Sequence, residues 1–493
     1  MFLDPVKRYA TSTPKKLALG YAEDGTTWSW VEFDSAVDRC AAWLVDELGS
    51  ASGKRVAVIA RNHPRQIILQ FACVRAGAIF VPFNWRLAPA EIQELIADAA
   101  PSLMFCDDEF RVPELTSNVI NYDLAELDDL GVVGSVPPAD ARRATDEPST
   151  LLYTSGTSGR PKGVMVTEQN AFYGNINFGL GSLVSYESVF LCDMPLFHTA
   201  GLFAAVRVPV LFGAAVWITA GFNPANTIAR IASKELGVTH YFSVPQMATM
   251  LWQHPDFSFE KFSNLVLYVT GGAPNPPAQV ERFAREGVRF SDGFGMTETG
   301  SNFAMPVLDE EILFKKTGSC GVPLMTLETR IVDDAGVDVA QGEVGELWLR
   351  GPSITPGYWN QPELTAKAFH DGWFKTGDAA YCDEDGFFYL VDRKKDMYIS
   401  GGENVYPAEV ERIISELHEI ADVAVVGIPS ERWGEVGRAF VIRREGAHFD
   451  EQYVIDHCLA RLAKFKVPAE VVITDTIPRT ASGKVQKHLL ERG

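Results

Sequence analysis

Short apolar segments alternate with amphipathic helical patterns through the first half of this 493-residue chain. Residues 55–60 read as a buried strand, residues 65–77 as a helix and residues 79–82 as a second strand. Further strands are predicted at residues 103–106, 189–191, 216–219 and 265–270. Continuous apolar strands separated by helices are typical of parallel sheets covered on both faces. The sequence therefore predicts an α/β fold with a large N-terminal lobe of layered subdomains.

The pattern changes in the last third of the chain. Residues 327–389 carry short strand-like runs between Gly, Pro and Asp turns, which predicts a β-subdomain. The charged run 392–396 follows, and then an α+β pattern of about a hundred residues, enough for a small domain, in which a helix is predicted at 450–463. We predict a large domain at 1–391, a hinge at 392–396 and a small mobile domain at 397–493. On composition alone, the charged run favours a solvated loop over a hinge.

Charge and cysteine content narrow the function classes. Lys and Arg number 44 against 64 Asp and Glu, a net charge of −20, which disfavours binding to nucleic acid or anionic lipid. The apolar stretch 206–220 is interrupted by Arg207, Pro209 and Gly213, so we expect a buried helix and strand and no integral membrane segment. No signal peptide is visible. Seven scattered cysteines predict reduced thiols and a cytoplasmic location.

Residues 153–163 place Ser, Thr and Gly residues together before a lysine, after an apolar strand start. Such a loop can turn backbone N–H groups and hydroxyls toward one anion, with Lys162 adding a charge. It does not match a Walker P-loop. A polar turn closing a hairpin is the alternative interpretation of these residues alone.

This loop resembles the phosphate-binding loop of the adenylate-forming superfamily, which includes acyl-CoA synthetases, peptide-synthetase adenylation domains and luciferases. Other motifs of that superfamily follow in its order. Residues 195–198 resemble its aromatic/His motif, 271–274 its adenine-side turn, 293–299 its acyl/nucleotide motif and 376–378 its ribose motif. Residues 392–396 resemble its hinge, 401–407 its post-hinge loop and 478–484 its C-terminal lysine motif. The matches span almost the whole chain, so it is identified as a member of this superfamily.

The resemblance implies a set of nucleotide- and CoA-binding residues. They are Thr154, Ser155, Gly156, Thr157, Ser158, Gly159, Lys162, Gly272, Ala273, Pro274, Asp292, Gly293, Phe294, Asp378, Arg393, Lys395, Gly401, Gly402 and Glu403. Phe294 offers a ring for adenine stacking, although the family usually has Tyr there. Asp292 either accepts from the adenine amino group or is a solvated turn residue. Asp378 and Arg393 bind the ribose hydroxyls.

Four residues are implied as catalytic. Thr297 donates to the α-phosphate, and Glu298 supplies an oxygen ligand for Mg²⁺. Lys484 bridges the substrate carboxylate and the α-phosphate, which neutralises charge in the transition state. His198 forms a wall or gate of the acyl pocket. Lys395 is the hinge residue, about which the small domain swings so that the 401–403 loop replaces Lys484.

The implied reaction has two halves and three cofactors or co-substrates, namely ATP, Mg²⁺ and CoA. A carboxylate attacks the α-phosphorus to give acyl-adenylate and pyrophosphate, and the CoA thiol then takes the acyl group and releases AMP. The chain resembles stand-alone fatty-acyl and aryl (feruloyl or coumaroyl) CoA ligases. We expect a monocarboxylic acid, fatty before aryl-propenoic. A carrier-protein acceptor, a non-catalytic nucleotide-binding relative, luciferase-like oxygenation and a homodimer stay open.

Small and apolar residues are the expected walls of the acyl pocket. They are His198, Gly201, Phe203, Tyr241, Ser243, Val244, Pro245, Gly271, Gly272, Ala273, Gly295, Met296 and Ser301. Such walls favour an uncharged tail. Arg207 reaches a second carboxylate only if its helix faces the pocket.

Overall fold

The computed structural model describes residues 4–110, 119–154, 162–272, 275, 277–393, 396–400, 403–430, 432–479 and 485–490. The strands are β1 (Leu17–Tyr21), β2 (Thr27–Ser29), β3 (Arg55–Ile59), β4 (Ile79–Pro82), β5 (Leu103–Cys106), β6 (Ile120–Asp123), β7 (Pro148–Thr154), β8 (Lys162–Thr167), β9 (Val189–Cys192), β10 (Ala215–Ile218), β11 (His240–Ser243), β12 (Leu267–Gly271), β13 (Phe290–Met296), β14 (Gly300–Ala304), β15 (Val322–Pro323), β16 (Glu328–Val332), β17 (Gly345–Arg350), β18 (Phe369–His370), β19 (Trp373–Cys382), β20 (Phe388–Arg393), β21 (Tyr398–Ser400), β22 (Glu403–Val405), β23 (Ile420–Ser430), β24 (Gly434–Arg443) and β25 (Glu470–Ile473).

Helices cover these sheets. They are α1 (Pro5–Ser12), α2 (Trp30–Leu48), α3 (Pro64–Ala76), α4 (Pro89–Ala99), α5 (Glu168–Gly181), a π-helix (Ala200–Arg207), α6 (Val208–Phe212), α7 (Pro224–Ala232), α8 (Pro245–Gln253), α9 (Pro277–Arg285), α10 (Glu310–Lys315), α11 (Pro362–Ala368), α12 (Pro407–Ile414), α13 (Glu451–Leu459) and α14 (Lys487–Leu490). Among the described residues, no helix is both long and apolar enough to cross a membrane.

Two layered sheets build the large lobe, as the alternation predicts. One has the order β6-β5-β3-β4-β7-β8 and the other the order β15-β14-β13-β12-β11-β9-β10-β1-β2. Their central strands pair in parallel, and β4, β5, β10, β11 and β12 are buried at every position. The prediction of parallel strands is incomplete at the edges, since β7 with β8 and β13 with β14 form antiparallel pairs. The predicted phosphate loop lies between β7 and β8 in the chain, and Glu298 lies between β13 and β14.

Helix α5 illustrates how local sequence places an element beside the site. Thr167 Oγ1 accepts from the Asn170 amide at 3.0 Å, and Asn170 Oδ1 accepts from the Thr167 amide at 3.1 Å. This reciprocal capping fixes the start of the helix immediately after β8. The Asn170 side-chain amide also donates to the carbonyls of Pro352 and Ile354, at 2.9 and 2.7 Å. The cap therefore ties α5 to the chain segment that enters the β-subdomain.

The predicted β-subdomain is the sheet of β16, β17, β19, β18 and β20. Beyond it, β21–β25 form a further sheet against α12 and α13. The helix predicted at 450–463 ends at Leu459, and β22 is a strand that the sequence did not suggest. The interior of this second unit is a separate hydrophobic cluster drawn from residues 398–471, including Tyr398, Val410, Val425 and Val441.

Candidate active site

The predicted phosphate loop starts and ends on one hairpin. Strands β7 and β8 pair antiparallel with Thr154 directly opposite Lys162. Residues 155–161 lie outside the described residues, so the structure places only the two ends of the loop, Thr154 and Lys162. The hairpin interpretation and the anion-loop interpretation of this segment are thus compatible.

Thr297 and Glu298 lie in the turn between β13 and β14. Thr199 Oγ1 donates to Thr297 Oγ1 at 3.2 Å, which links this turn to the residue after His198. The Glu298 carbonyl accepts from the Thr355 amide at 2.7 Å, and Glu298 Oε1 accepts from the hydroxyl of Tyr358 at 3.0 Å. Both the backbone and the carboxylate of Glu298 are therefore held by the segment that leads into the β-subdomain.

That segment, residues 352–359, is hydrogen-bonded both to strand β8 and to the β13–β14 turn. Thr355 Oγ1 donates to the Met165 carbonyl at 2.6 Å, and the Trp359 amide donates to the Gly163 carbonyl at 2.7 Å. Ser353 Oγ donates to the Thr299 carbonyl at 2.9 Å. Strand β8 and the β13–β14 turn are consequently set by the same stretch of chain.

The residues at this turn fit a magnesium ion bound together with a nucleotide. Within the described ranges, no group of three or more His, Cys, Asp and Glu side chains forms a metal site. Mg²⁺ in phosphoryl-transfer sites is usually held by one or two carboxylates, with substrate phosphates and water as the other ligands. A single carboxylate at Glu298, held by Tyr358, whose ring also lies near Lys162, matches that donor set.

A cavity that is open to solvent lies beside Thr297 and Glu298. It is lined mainly by small and apolar groups from β8, α5, the π-helix and the β13–β14 turn. The lining residues are Met165, Val166, Asn170, Ala171, Gly174, Asn175, Thr199, Phe203, Ala204, Val208, Thr297, Glu298, Gly300, Ser301, Ser353 and Thr355. Of the expected acyl-pocket walls, Phe203 and Ser301 are among them. His198 is half-buried one position before Thr199, with its ring centroid 4.6 Å from that of Phe197.

Two expected walls are used elsewhere in the structure. The Tyr241 hydroxyl donates to Asp193 at 3.0 Å, and Ser243 Oγ is 2.8 Å from the hydroxyl of Tyr268. Both residues are buried in β11. Burial raises the pKa of the Asp193 carboxyl, which also accepts from two threonine hydroxyls. These side chains form a buried polar network and are not among the residues that line the cavity beside Thr297.

Arg207 does not face the cavity. Its guanidinium binds Glu168 in a bidentate ion pair and stacks over Phe71 and Phe203, 5.0 and 5.6 Å from the ring centroids. It lines a neighbouring cavity on the other side of Asn175. The condition under which Arg207 would bind a second substrate carboxylate is therefore not met in this structure.

The adenine-side residues cluster at the ends of β12 and β13. Gly272 has φ +90°, a conformation that favours glycine. Asp292 lies within β13 and not in a solvated turn, and Oδ1 accepts from Thr270 Oγ1 at 2.7 Å while Asn275 donates to both of its oxygens. Removal from water raises the pKa of Asp292 to about 6. The Asp292 carboxyl therefore ties this turn to β12.

Beside this cluster, Gly293 and Phe294 face strand β14. A Cβ at Gly293 would lie 3.2 Å from the Phe303 carbonyl, so the strands approach closely there. Phe294 is half-buried, and its ring centroid lies 5.9 Å from that of Phe303.

The predicted ribose residues are brought together by strand pairing. Asp378 in β19 lies directly opposite Arg393 in β20, although the two are 15 positions apart in the chain. Asp378 is 6% exposed, and its amide donates to Thr376 Oγ1 at 3.0 Å. Glu403 is exposed on β22, the edge strand of the second unit.

Several predicted site residues lie outside the described residues. They are Ser155, Gly156, Thr157, Ser158, Gly159, Ala273, Pro274, Lys395, Gly401, Gly402 and Lys484. The side chain of Arg393 also lies outside the part of the chain that the structure describes.

The cysteines are free thiols, and six of the seven are buried. Cys192, next to Asp193 and close to the π-helix, donates to the Met194 carbonyl at 3.5 Å, and burial raises its pKa. Burial likewise raises the pKa of Cys40 to about 12. Because thiolates and not thiols are nucleophiles, burial makes Cys40 and Cys192 poor nucleophiles.

The AMP-binding enzyme family model matches residues 6–359, and the model of the AMP-binding enzyme C-terminal domain matches residues 409–484. The chain belongs to the AMP-binding enzyme family. It is 36% identical to a feruloyl-CoA synthase of an Amycolatopsis species over 491 residues, which cover 99% of this chain and 98% of that protein. It is 32% identical to the long-chain-fatty-acid–CoA ligase FadD13 of Mycobacterium tuberculosis H37Rv over 502 residues, covering 98% and 97%.

The fold of this AMP-binding enzyme matches that of solved relatives. ATP-bound MatB from Rhodopseudomonas palustris superposes with a TM-score of 0.92 at 29% identity, covering 100% of this chain and 99% of that chain. This family member is an AMP-forming acid–thiol ligase that uses ATP, Mg²⁺ and CoA. It converts a carboxylic acid to an acyl-adenylate and transfers the acyl group to the CoA thiol.

Sequence reasoning missed the residues that hold this AMP-binding enzyme's site together. Tyr358 and Thr355 contact Glu298 across about 60 positions, and Asn170 reaches Ile354 across 184. No spacing pattern within a motif signals such pairs. Only the pairing of strands and the path of the chain into the β-subdomain reveal them.

Proposed function

We propose that this ligase activates a monocarboxylic acid with a compact apolar tail, aryl before fatty. The observation that supports the proposal is the cavity beside Thr297, which has no Lys or Arg among its described lining residues. A second carboxylate would lack a cation there, because Arg207 is paired with Glu168. The buried side chains of Val166, Ala171 and Val208 are among its lining residues, which favours an apolar tail on the acid.

A fatty acid is the second candidate, and the sequence alone placed it first. Feruloyl-CoA synthase supports the aryl choice and FadD13 the fatty choice, and both are similar to this chain over nearly its whole length. The higher identity to feruloyl-CoA synthase, 36% against 32%, supports placing the aryl acid first.

The residue roles are part of the same proposal. The substrate carboxylate is already ionised at neutral pH, so no general base is needed. Thr297 and Lys162 bind phosphate oxygens, Glu298 binds Mg²⁺, and the Asp378–Arg393 pair binds the ribose. Thr297 and Lys484 stabilise the charge that develops at the α-phosphate during attack. Glu298 would hold the Mg²⁺, which would supply positive charge to balance the pyrophosphate leaving group.

We also propose the domain division 1–391, 392–396 and 397–493, with Lys395 as the hinge residue. Two separate hydrophobic clusters support it, since the largest contains residues from Val6 to Phe387 and the cluster around Tyr398 contains later ones. After the swing, the 401–403 loop would line the pantetheine path.

A cytoplasmic location is proposed from the free cysteines. A homodimer is a further proposal, which light scattering tests.

A panel of acids assayed for pyrophosphate release tests the proposal. Ferulate, coumarate, benzoate, octanoate, palmitate, malonate and several amino acids are compared at equal concentration, with CoA omitted and then added. We expect aryl-propenoic acids to give the largest kcat/KM, with octanoate next. Clear preference for malonate or an amino acid would overturn the monocarboxylate proposal, and preference for palmitate would overturn the order.

A further inference from the structure

Tyr358 touches both charged groups that face the nucleotide site. Its hydroxyl donates to Glu298 Oε1 at 3.0 Å, and Lys162 Nζ lies 5.7 Å from the centroid of its ring. The side chain is 7% exposed. One buried aromatic residue thus contacts the proposed metal ligand and the proposed phosphate-binding lysine at the same time.

The backbone of Tyr358 is fixed independently of its hydroxyl. Its amide donates to Thr365 Oγ1 at 2.9 Å, and it forms an antiparallel bridge with Val164 in β8. The neighbouring Trp359 amide donates to the Gly163 carbonyl at 2.7 Å. Removing the hydroxyl therefore leaves the ring and the chain path in place.

The backbone of Glu298 is also fixed independently, through the Thr355 amide at 2.7 Å. What the Tyr358 hydroxyl adds is the orientation of the carboxylate, because a hydrogen bond to Oε1 restricts the side-chain torsions. In the described part of the chain, no ion pair joins Lys162 to Glu298 and hydrogen bonds to the carboxylate reach only Oε1. Among the contacts of the described residues, Oε2 is the carboxylate oxygen available to a cation, while Lys162 Nζ lies over the face of the Tyr358 ring.

We propose that Tyr358 is a positioning residue that orients Glu298 for the divalent cation and keeps Lys162 from neutralising it. The inference rests on the proposed role of Glu298 as the metal ligand. Loss of an outer-shell hydrogen bond to a ligating carboxylate typically weakens metal binding by about 10- to 100-fold. Tyr358→Phe removes that bond and keeps the ring that faces Lys162.

The test measures metal binding without turnover. Mn²⁺ binding to the full-length enzyme with ATP and no acid is followed by the loss of the free Mn²⁺ EPR signal, for the unchanged enzyme, Tyr358→Phe, Glu298→Gln and Tyr122→Phe. Tyr122→Phe is the matched control, because its hydroxyl donates to Glu47 at 3.1 Å in an exposed position elsewhere. Binding of AMP without metal is measured by calorimetry on the same four proteins.

We expect Tyr358→Phe to weaken Mn²⁺ binding by about 10-fold, with AMP binding and the thermal midpoint unchanged. Tyr122→Phe should match the unchanged enzyme. Mn²⁺ binding that is weakened by Glu298→Gln but not by Tyr358→Phe would overturn the inference. Equal losses of Mn²⁺ and metal-free AMP binding in Tyr358→Phe would also overturn it, since they indicate a general structural role. If Glu298→Gln itself has no effect, the proposed metal ligand is wrong, whatever Tyr358 does.

Discussion

Arg207 donates to both carboxylate oxygens of Glu168, at 2.8 and 2.6 Å, and both side chains are nearly buried. Ser149 Oγ also donates to Glu168 Oε1 at 2.7 Å. The pair joins the π-helix to the first turn of α5, the two elements that wall the cavity. Arg207 is thereby a structural group, and its charge is neutralised within the protein.

Arg207→Met should destabilise the fold, because it leaves Glu168 charged, buried and without its cation. Breaking a buried pair by removing one partner costs about 3–5 kcal/mol. The free energy of unfolding of the large lobe, from urea denaturation, measures the loss. Arg350→Met is the control, since Arg350 pairs with Glu328 on the exposed surface, and we expect little change there. Similar losses of unfolding free energy in the two variants would contradict the expectation that a buried ion pair costs more to break than an exposed one.

Asp292 should make stability depend on pH in a predictable direction. Its pKa is raised from 3.8 to about 6, so the folded protein holds this proton more tightly than the unfolded chain. The stabilisation is present below about pH 4 and is lost as the pH rises through about 6. Asp292→Asn lacks this titration. The denaturation midpoint of Asp292→Asn relative to the unchanged enzyme should therefore be higher at about pH 7.5 than at about pH 4.5. A pH-independent difference would contradict the raised pKa.

Gly174 offers a way to reduce the cavity from helix α5. A Cβ at this position would lie 3.6 Å from Gly300 Cα and 3.9 Å from Ser353 Cβ, which are ordinary contacts. Gly174→Ala should therefore fold normally, with up to about 1 kcal/mol more helix stability. Gly174→Leu should fill the cavity and raise KM for aryl acids while KM for ATP stays constant. Unchanged acid selectivity in Gly174→Leu would show that the acid binds elsewhere.

Lys484→Ala should separate the two half-reactions. If Lys484 acts only on the charge that develops during adenylation, pyrophosphate release falls by about 100-fold or more, by analogy with loss of one stabilising donor. Thioester formation from supplied acyl-adenylate and CoA should persist. Lys464→Ala, an exposed lysine of the same domain, serves as the control. Equal losses in both half-reactions would contradict the two-conformation mechanism.

Local patterns predicted much of the fold. Strands β3, β4 and β5 are short apolar runs flanked by helix patterns, and they form the buried parallel pairs expected of them. Element ends were less accurate, as for α13, because helix termini depend on packing and capping. Antiparallel edges were missed since hydrophobicity alone does not give strand direction.

Sequence alone determined the chemistry available at the site. A Ser/Thr/Gly loop ending at Lys162, a carboxylate at Glu298 and a carboxylate at Asp378 are local features, and motif order across the chain identified the family. The tertiary structure decided which groups act together. Tyr358 meets Glu298 across 60 positions, and Arg207 turns to Glu168 across 39 and away from the cavity. The direction of a side chain depends on which face its helix or strand buries, and that is set by packing between distant segments.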